Sequence, residues 1–112
     1  MLFAISPQLP AQSRALEQQR KLGFRILFDE MSGVAASFGL RFALPRYLVD
    51  VYRRLGIDLE AANGEPRWRL PIAARYIVDR NRRIRYARVN ADYTRRPEPG
   101  ETVAALRALR RL

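Results

Sequence analysis

Neither cysteine nor histidine occurs among the 112 residues of this sequence. Without cysteine there is no disulfide and no thiol nucleophile, and without histidine the commonest general base and the usual zinc and haem ligands are excluded. Apolar runs are short: none approaches the ~20 residues of a membrane span, and residues 1–10 lack the features of a signal peptide. We predict a cytoplasmic protein with no membrane partner, no catalytic residue, no cofactor and no metal.

Lysine is nearly absent as well, because Lys21 is the only one and the other 20 cations are arginines. With 11 acidic residues the formal net charge is +10. A basic surface favours nucleic acid, anionic lipid or an acidic partner. An arginine excess beside 15 alanines is also typical of proteins encoded by GC-rich genomes, at surface positions without a specific role. An anionic partner and a compositional bias therefore both stay open as interpretations. The composition, 48% apolar and 29% charged, predicts one globular domain over 1–112.

The first 28 residues predict a strand, a helix and a second strand. The strand covers 2–6, and the helix covers 10–22 with Gly23 in a left-handed closing position. A second strand follows over 24–28. Such a compact crossover builds a parallel sheet and is almost always right-handed.

Two further helices and a loop are predicted in the middle of the chain. Ser32 caps a short helix over 34–38, and a longer helix begins at Pro45 and ends at Gly56. The longer helix carries an apolar stripe that we expect to be buried: Leu44, Leu48, Val51, Tyr52 and Leu55. Residues 57–71, with two prolines and an Asn-Gly pair, predict an irregular loop.

An arginine-rich hairpin and a final helix complete the pattern. Strands over 75–79 and 84–89 are joined by residues 80–83, and the last helix passes through Val103, Leu106 and Leu109. The basic stretch over 80–88 allows two interpretations. Its guanidiniums and aromatic rings would bind the phosphates and bases of a nucleic acid, or its charge simply keeps an edge hairpin soluble. The residues concerned are Arg80, Arg82, Arg83, Arg85, Tyr86 and Arg88, followed by Tyr93, Arg95 and Arg96.

Seven short segments match one known family pattern in order and spacing: FAISPQ (3–8), LGF (22–24), LFD (27–29), FGL (38–40), VYRRLGID (51–58), YIVD (76–79) and DYTRRPEP (92–99). Together they resemble the peroxiredoxin-like branch of the alkyl hydroperoxide reductase and thiol-specific antioxidant family. The resemblance implies an α/β chain, the C-terminal portion of a truncated thioredoxin-like fold. It also implies a mixed sheet of about four strands with flanking helices.

The family activity is thiol-dependent peroxide reduction by a cysteine at the start of a helix. The resemblance places that cysteine before the segment FAISPQ, so we expect the chain alone to be inactive and to come from a truncation or a displaced start. The serines at 6, 13, 32 and 37 have no histidine to activate them and are interpreted as turn and cap residues. The adjacent Asp29 and Glu30 lack the further oxygen ligands that a hard-cation site needs.

Two places depart from the family pattern. Ala73 and Ala74 stand where related proteins often carry a cis-proline or an active-site arginine, and Arg75 is displaced to the start of the strand. Arg75 is expected to be solvated, with a position facing the old active-site cleft as the alternative. Arg82 stands where the family hairpin tends to put glycine, and a left-handed conformation there costs about 1 kcal/mol unless Asn81 shifts the turn.

The resemblance also bears on assembly. In the thioredoxin fold a central strand lies between the strands that match 2–6 and 76–79, so its absence leaves two open edges. Exposed strand edges recruit other strands. We therefore expect a homo-oligomer formed through these edges, with closure of the two halves within one chain as the alternative.

Overall fold

A computed structural model describes residues 1–92 and 98–110 of the chain. The secondary structure is mixed α/β, as predicted. Within the described ranges the six strands pair as three two-stranded sheets, whereas the sequence predicted about four strands in one sheet. The chain divides into two compact units, Met1–Pro71 and Ile72–Leu112, and each is described by itself.

The first unit opens with the predicted crossover. Strand β1 (Phe3–Ser6) and strand β2 (Arg25–Phe28) are parallel, with Phe3 opposite Arg25 and Ser6 opposite Phe28. Helix α1 (Pro10–Arg20) connects them. It ends earlier than predicted, because Lys21, with φ 49°, takes the left-handed position that was assigned to Gly23.

The next segment contains a single 3₁₀ turn (Glu30–Ser32) and the short helix α2 (Gly33–Ser37). Ser32 precedes α2 as predicted, but its side chain makes no capping hydrogen bond. The carboxylate of Asp29 caps the helix instead, accepting the N–H groups of Val34 at 2.8 Å and Ala35 at 3.0 Å. A capping carboxylate satisfies backbone donors that a helix of this length otherwise leaves unpaired.

Helix α3 (Arg46–Arg54) begins after Pro45 and is followed by Gly56 with φ 77°, as the sequence predicted. Its apolar stripe is less buried than predicted. Leu48 and Tyr52 are half-buried, but Val51 is 42% exposed and Leu55 is 68% exposed.

The irregular loop predicted over 57–71 is wrong. This segment contains helix α4 (Leu59–Asn63), which Asp58 caps by accepting the N–H of Ala61 at 3.1 Å, and strand β4 (Arg69–Pro71). Strand β4 pairs antiparallel with β3 (Arg41–Ala43), a strand that the sequence did not predict. Gly64, with φ 65°, closes α4 in the left-handed conformation.

The second unit consists of a hairpin and a helix. Strand β5 (Ala74–Val78) and strand β6 (Ile84–Val89) are antiparallel, with Arg75 opposite Arg88 and Ile77 opposite Tyr86. Helix α5 (Pro99–Arg110) follows. Its half-buried residues are Thr102, Ala105 and Leu109, while Val103 and Leu106 are each 45% exposed, so the face differs from the predicted one.

No helix within residues 1–92 and 98–110 is both long enough and apolar enough to cross a lipid bilayer.

Candidate functional site

The arginines predicted over 80–88 lie on the β5–β6 hairpin, and the structure divides them into two groups. Arg85 and Arg88 lie on strand β6, where each has an acidic partner. The other three lie in the turn between the strands and are exposed. We call Arg80, Arg82 and Arg83 the turn arginines. Three residues that follow this stretch, also named in the sequence analysis, lie outside the described residues: Tyr93, Arg95 and Arg96.

Asp79 organises the turn through its carboxylate. One oxygen accepts the backbone N–H of Asn81 at 2.8 Å and that of Arg83 at 3.0 Å, and the other accepts Arg85 Nη1 at 3.3 Å. The backbone of Asp79 adds two bonds, from its N–H to the carbonyl of Arg83 and from the N–H of Arg82 to its carbonyl. These bonds hold Arg82 at φ 64°, so Asn81 does not relieve the left-handed conformation at position 82.

The turn should become less stable in acid. The backbone N–H of Arg83 is the largest cause that lowers the pKa of Asp79 below its ordinary value of 3.8, and the side chain of Arg85 adds to it. A carboxyl with a lowered folded-state pKa contributes its full stability above pH 3.8 and loses it as the pH falls through the folded-state pKa. We expect the melting temperature of the wild type to fall more steeply below pH 4 than that of Asp79→Asn, in thermal unfolding followed by circular dichroism. Identical profiles for the two proteins would contradict this role.

Helix α5 contacts the hairpin through a cluster of polar side chains. This cluster lies on the face of the hairpin opposite to Asp79 and its partner Arg85. Glu101 accepts Arg88 Nε at 2.7 Å and Nη2 at 2.6 Å, and Tyr86 Oη donates to Glu101 at 3.2 Å. The guanidinium of Arg88 also lies 5.4 Å from the centre of the Tyr86 ring. The hydrogen bond to Glu101 raises the pKa of Arg88. Both Arg88 and Tyr86 are therefore committed to contacts inside the unit.

Arg75 differs from the solvated side chain that its position predicted. It is half-buried, and its Nη1 donates to Thr102 Oγ1 at 2.8 Å. Thr102 Oγ1 also lies 3.4 Å from Tyr86 Oη. The hydrogen bond from Arg75 to Thr102 thus connects strand β5 to helix α5.

The first unit holds a second polar cluster, around the only tryptophan. Glu65, 2% exposed, accepts Arg69 Nε at 2.7 Å and the backbone N–H of Arg67 at 3.0 Å. Burial raises the pKa of Glu65, but the two hydrogen bonds together with the positive charges of Arg69 and Arg67 lower it by more, so the pKa lies below its ordinary value. Trp68 is 3% exposed, has φ 53°, and lies 5.2 Å below the guanidinium of Arg53. Glu65 and Arg69 therefore form a structural ion pair.

Most of the other residues named in the sequence analysis have structural roles. Asp29 is 5% exposed and caps α2, and within residues 1–92 and 98–110 no group of three acidic residues could hold a metal ion. Ser6 Oγ accepts the N–H of Gln8, and Ser37 Oγ donates to the carbonyl of Gly33. Ser13 and Ser32 are buried, and their hydroxyls have no hydrogen-bond partner in the part of the chain that is described.

No family model matches the sequence, and a search of curated proteins finds no match.

Proposed function

We propose that the chain is the C-terminal part of a peroxiredoxin-like thioredoxin fold, whose complete form would place about four of these strands in one mixed sheet. The order of the elements supports the proposal. A parallel β1–α1–β2 crossover comes first, and an antiparallel hairpin followed by a helix comes last. The resemblance of the sequence to the family implies this order.

The observation that carries the proposal is the backbone of Arg82. Its φ of 64° lies in the left-handed region, which glycine adopts freely and other residues adopt at a cost. The family hairpin tends to put glycine at this position. The backbone at position 82 thus suits the glycine that the family pattern has there, and this supports the proposal.

The proposed activity is that of the family, thiol-dependent reduction of a peroxide, exerted only when a cysteine-bearing segment completes the fold. A thiolate must attack the peroxide oxygen, and the 112 residues contain no cysteine. Met1 and Met31 do not replace it, because a thioether does not cycle with a thiol reductant. The contribution of this chain would be the crossover and hairpin on which the cysteine-bearing helix packs.

A fusion protein tests this proposal. A strand–loop–helix segment bearing the reactive cysteine, taken from a peroxiredoxin-like protein, is joined ahead of Phe3, and thiol-dependent consumption of hydrogen peroxide is measured. We expect turnover by the fusion and none by the chain alone, by the segment alone or by the fusion with its cysteine changed to serine. A folded fusion without turnover, or turnover by the chain alone, would overturn the proposal. Genomic DNA upstream of the Met1 codon offers an independent check: an in-frame strand followed by a cysteine would indicate a displaced start, whereas a stop codon or a frameshift would indicate a truncation.

Assembly through open strand edges belongs to the same proposal. Among the described strands β1 pairs only with β2 and β5 only with β6, so each keeps one edge without a strand partner. Apolar side chains flank both edges, with Ile5 51% and Val78 54% exposed. Light scattering over a dilution series at about 0.15 M salt, where charge repulsion is screened beyond ~8 Å, tests whether these edges pair between chains. A monomer at every concentration would contradict it.

A further inference from the structure

The turn arginines form a cationic surface that the rest of the hairpin does not neutralise. All three are exposed, and no carboxylate among the described residues forms an ion pair with them. The carboxylate nearest in sequence, that of Asp79, is occupied by two backbone N–H groups and by Arg85. Exposed cations without acidic partners are available to an anionic ligand.

The turn is also rigid before any ligand arrives. Four hydrogen bonds within residues 79–83 hold the backbone of the turn. The side chain of Asp79 accepts two of them, and its backbone N–H and carbonyl groups form the other two. A preorganised surface loses less conformational entropy on binding than a flexible one. The cationic groups therefore start from a fixed backbone.

We propose that the turn arginines bind the phosphate backbone of a nucleic acid, independently of its base sequence. A guanidinium presents a planar fork of donors that matches two phosphate oxygens, and it stays charged at every physiological pH. The turn presents three guanidiniums, so it can contact about three phosphates of one strand. This proposal is independent of the family relationship.

The surroundings of the turn determine which kind of partner fits. Tyr86 is half-buried, its hydroxyl is bonded to α5 and its ring lies against Arg88, so it offers no stacking platform for bases. The proposed contacts are therefore those of the turn arginines with phosphates. Residues 79–83 contain no apolar side chain that could insert into a lipid surface, but Val78 and Ile84, which flank the turn, are 54% and 49% exposed. The experiment therefore includes lipid vesicles.

The distribution of charge along the chain favours the same partner. Residues 72–112 contain eleven arginines and four acidic residues, so they carry +7 of the formal net charge of +10. A concentration of one sign of charge raises the rate at which a polyanion encounters the protein. The turn lies within this basic part of the chain.

Fluorescence anisotropy with a labelled mixed-sequence RNA of about 20 nucleotides tests the proposal. Three phosphate contacts to a single strand predict a slope of about −2 in the logarithm of affinity against the logarithm of salt, a loss of roughly 20-fold between 50 and 200 mM salt. The variant R80Q/R82Q/R83Q should lose most of that slope, while R80K/R82K/R83K, which keeps the charge, should retain it. Circular dichroism establishes that each variant is folded.

A charge-matched control separates the turn from the general basicity of the chain. The variant R14Q/R20Q/R46Q removes the same number of positive charges, but from helices α1 and α3. It should retain the wild-type slope. An equal loss in this control, or no RNA binding by the wild type at 50 mM salt, would overturn the proposal. Binding to phosphatidylserine vesicles without binding to RNA would overturn it as well, because the partner would then be a membrane.

Discussion

Replacing Trp68 by alanine is expected to reduce the free energy of unfolding by about 3 to 5 kcal/mol, the cost of truncating a buried aromatic side chain. Trp68 is 3% exposed. Among the residues that the structure describes, Ala35 is the only other apolar residue that is buried, so Trp68 supplies most of the fully buried apolar surface. The truncation also removes the contact with the guanidinium of Arg53, 5.2 Å from the ring centre.

Urea denaturation followed by far-ultraviolet circular dichroism measures this loss, since the variant lacks the only tryptophan as a fluorophore. Tyr47→Ala is the matched control, because Tyr47 is 69% exposed and its truncation should change stability by less than about 0.5 kcal/mol. A loss below 1 kcal/mol in Trp68→Ala would mean that the ring is not packed as described.

Asp29→Ala should destabilise the protein by about 2 kcal/mol. The variant leaves two backbone N–H groups at the start of α2 without their acceptor, at a site where Asp29 itself is 5% exposed. A five-residue helix has too few internal hydrogen bonds to persist without such a cap. Asp29→Asn retains one acceptor oxygen and should lose about half as much.

Urea denaturation again gives the free energies, and amide hydrogen exchange at Val34 and Ala35 locates the effect. Both amides should exchange faster in Asp29→Ala. The neighbouring Glu30 is exposed, so Glu30→Ala serves as the control and should leave exchange at both positions unchanged. Equal losses in the two alanine variants would show that the negative charge of this segment matters and the hydrogen bonds do not.

The elements that the sequence predicted correctly are those with strong local signals. Pro10 and Pro45 mark helix starts, Gly56 marks a helix end, and the β5–β6 hairpin closes over a short turn between β-prone segments. Each signal lies within a few residues of the structure it specifies. Local chemistry therefore sufficed for the crossover, the longer helix and the hairpin.

Some of the errors arise where distant residues decide, although helix α4 carries local signals in Asp58 and Gly64. Strands β3 and β4 pair residues 41–43 with residues 69–71, and neither segment has the alternation that would predict it alone.

Lys21 and Trp68 adopt left-handed backbone conformations that their residue types disfavour. At Lys21 the conformation belongs to the end of helix α1, where the backbone N–H of Leu22 donates to the carbonyl of Glu17. At Trp68 the backbone carbonyl accepts the N–H of Leu44, which is distant in the sequence.

The candidate site, like the fold, was only partly predictable from the sequence. The concentration of arginines over 80–88 is visible in the sequence, but their separation into paired and exposed groups is not. Arg88 is neutralised by Glu101, thirteen residues further along the chain. Asp79, at the edge of the turn, could be noticed as an acidic residue, yet only the structure shows that its carboxylate is occupied by the backbone.

The left-handed backbone at Arg82 couples two properties that protein engineers usually adjust separately. Glycine would release about 1 kcal/mol of conformational strain there, but it would also remove one of the three guanidiniums on the turn. Lysine or glutamine would leave the strain in place and change only the charge. A less strained turn and a more cationic surface are therefore competing objectives at this one position, and an evolving sequence could improve either only by giving up part of the other.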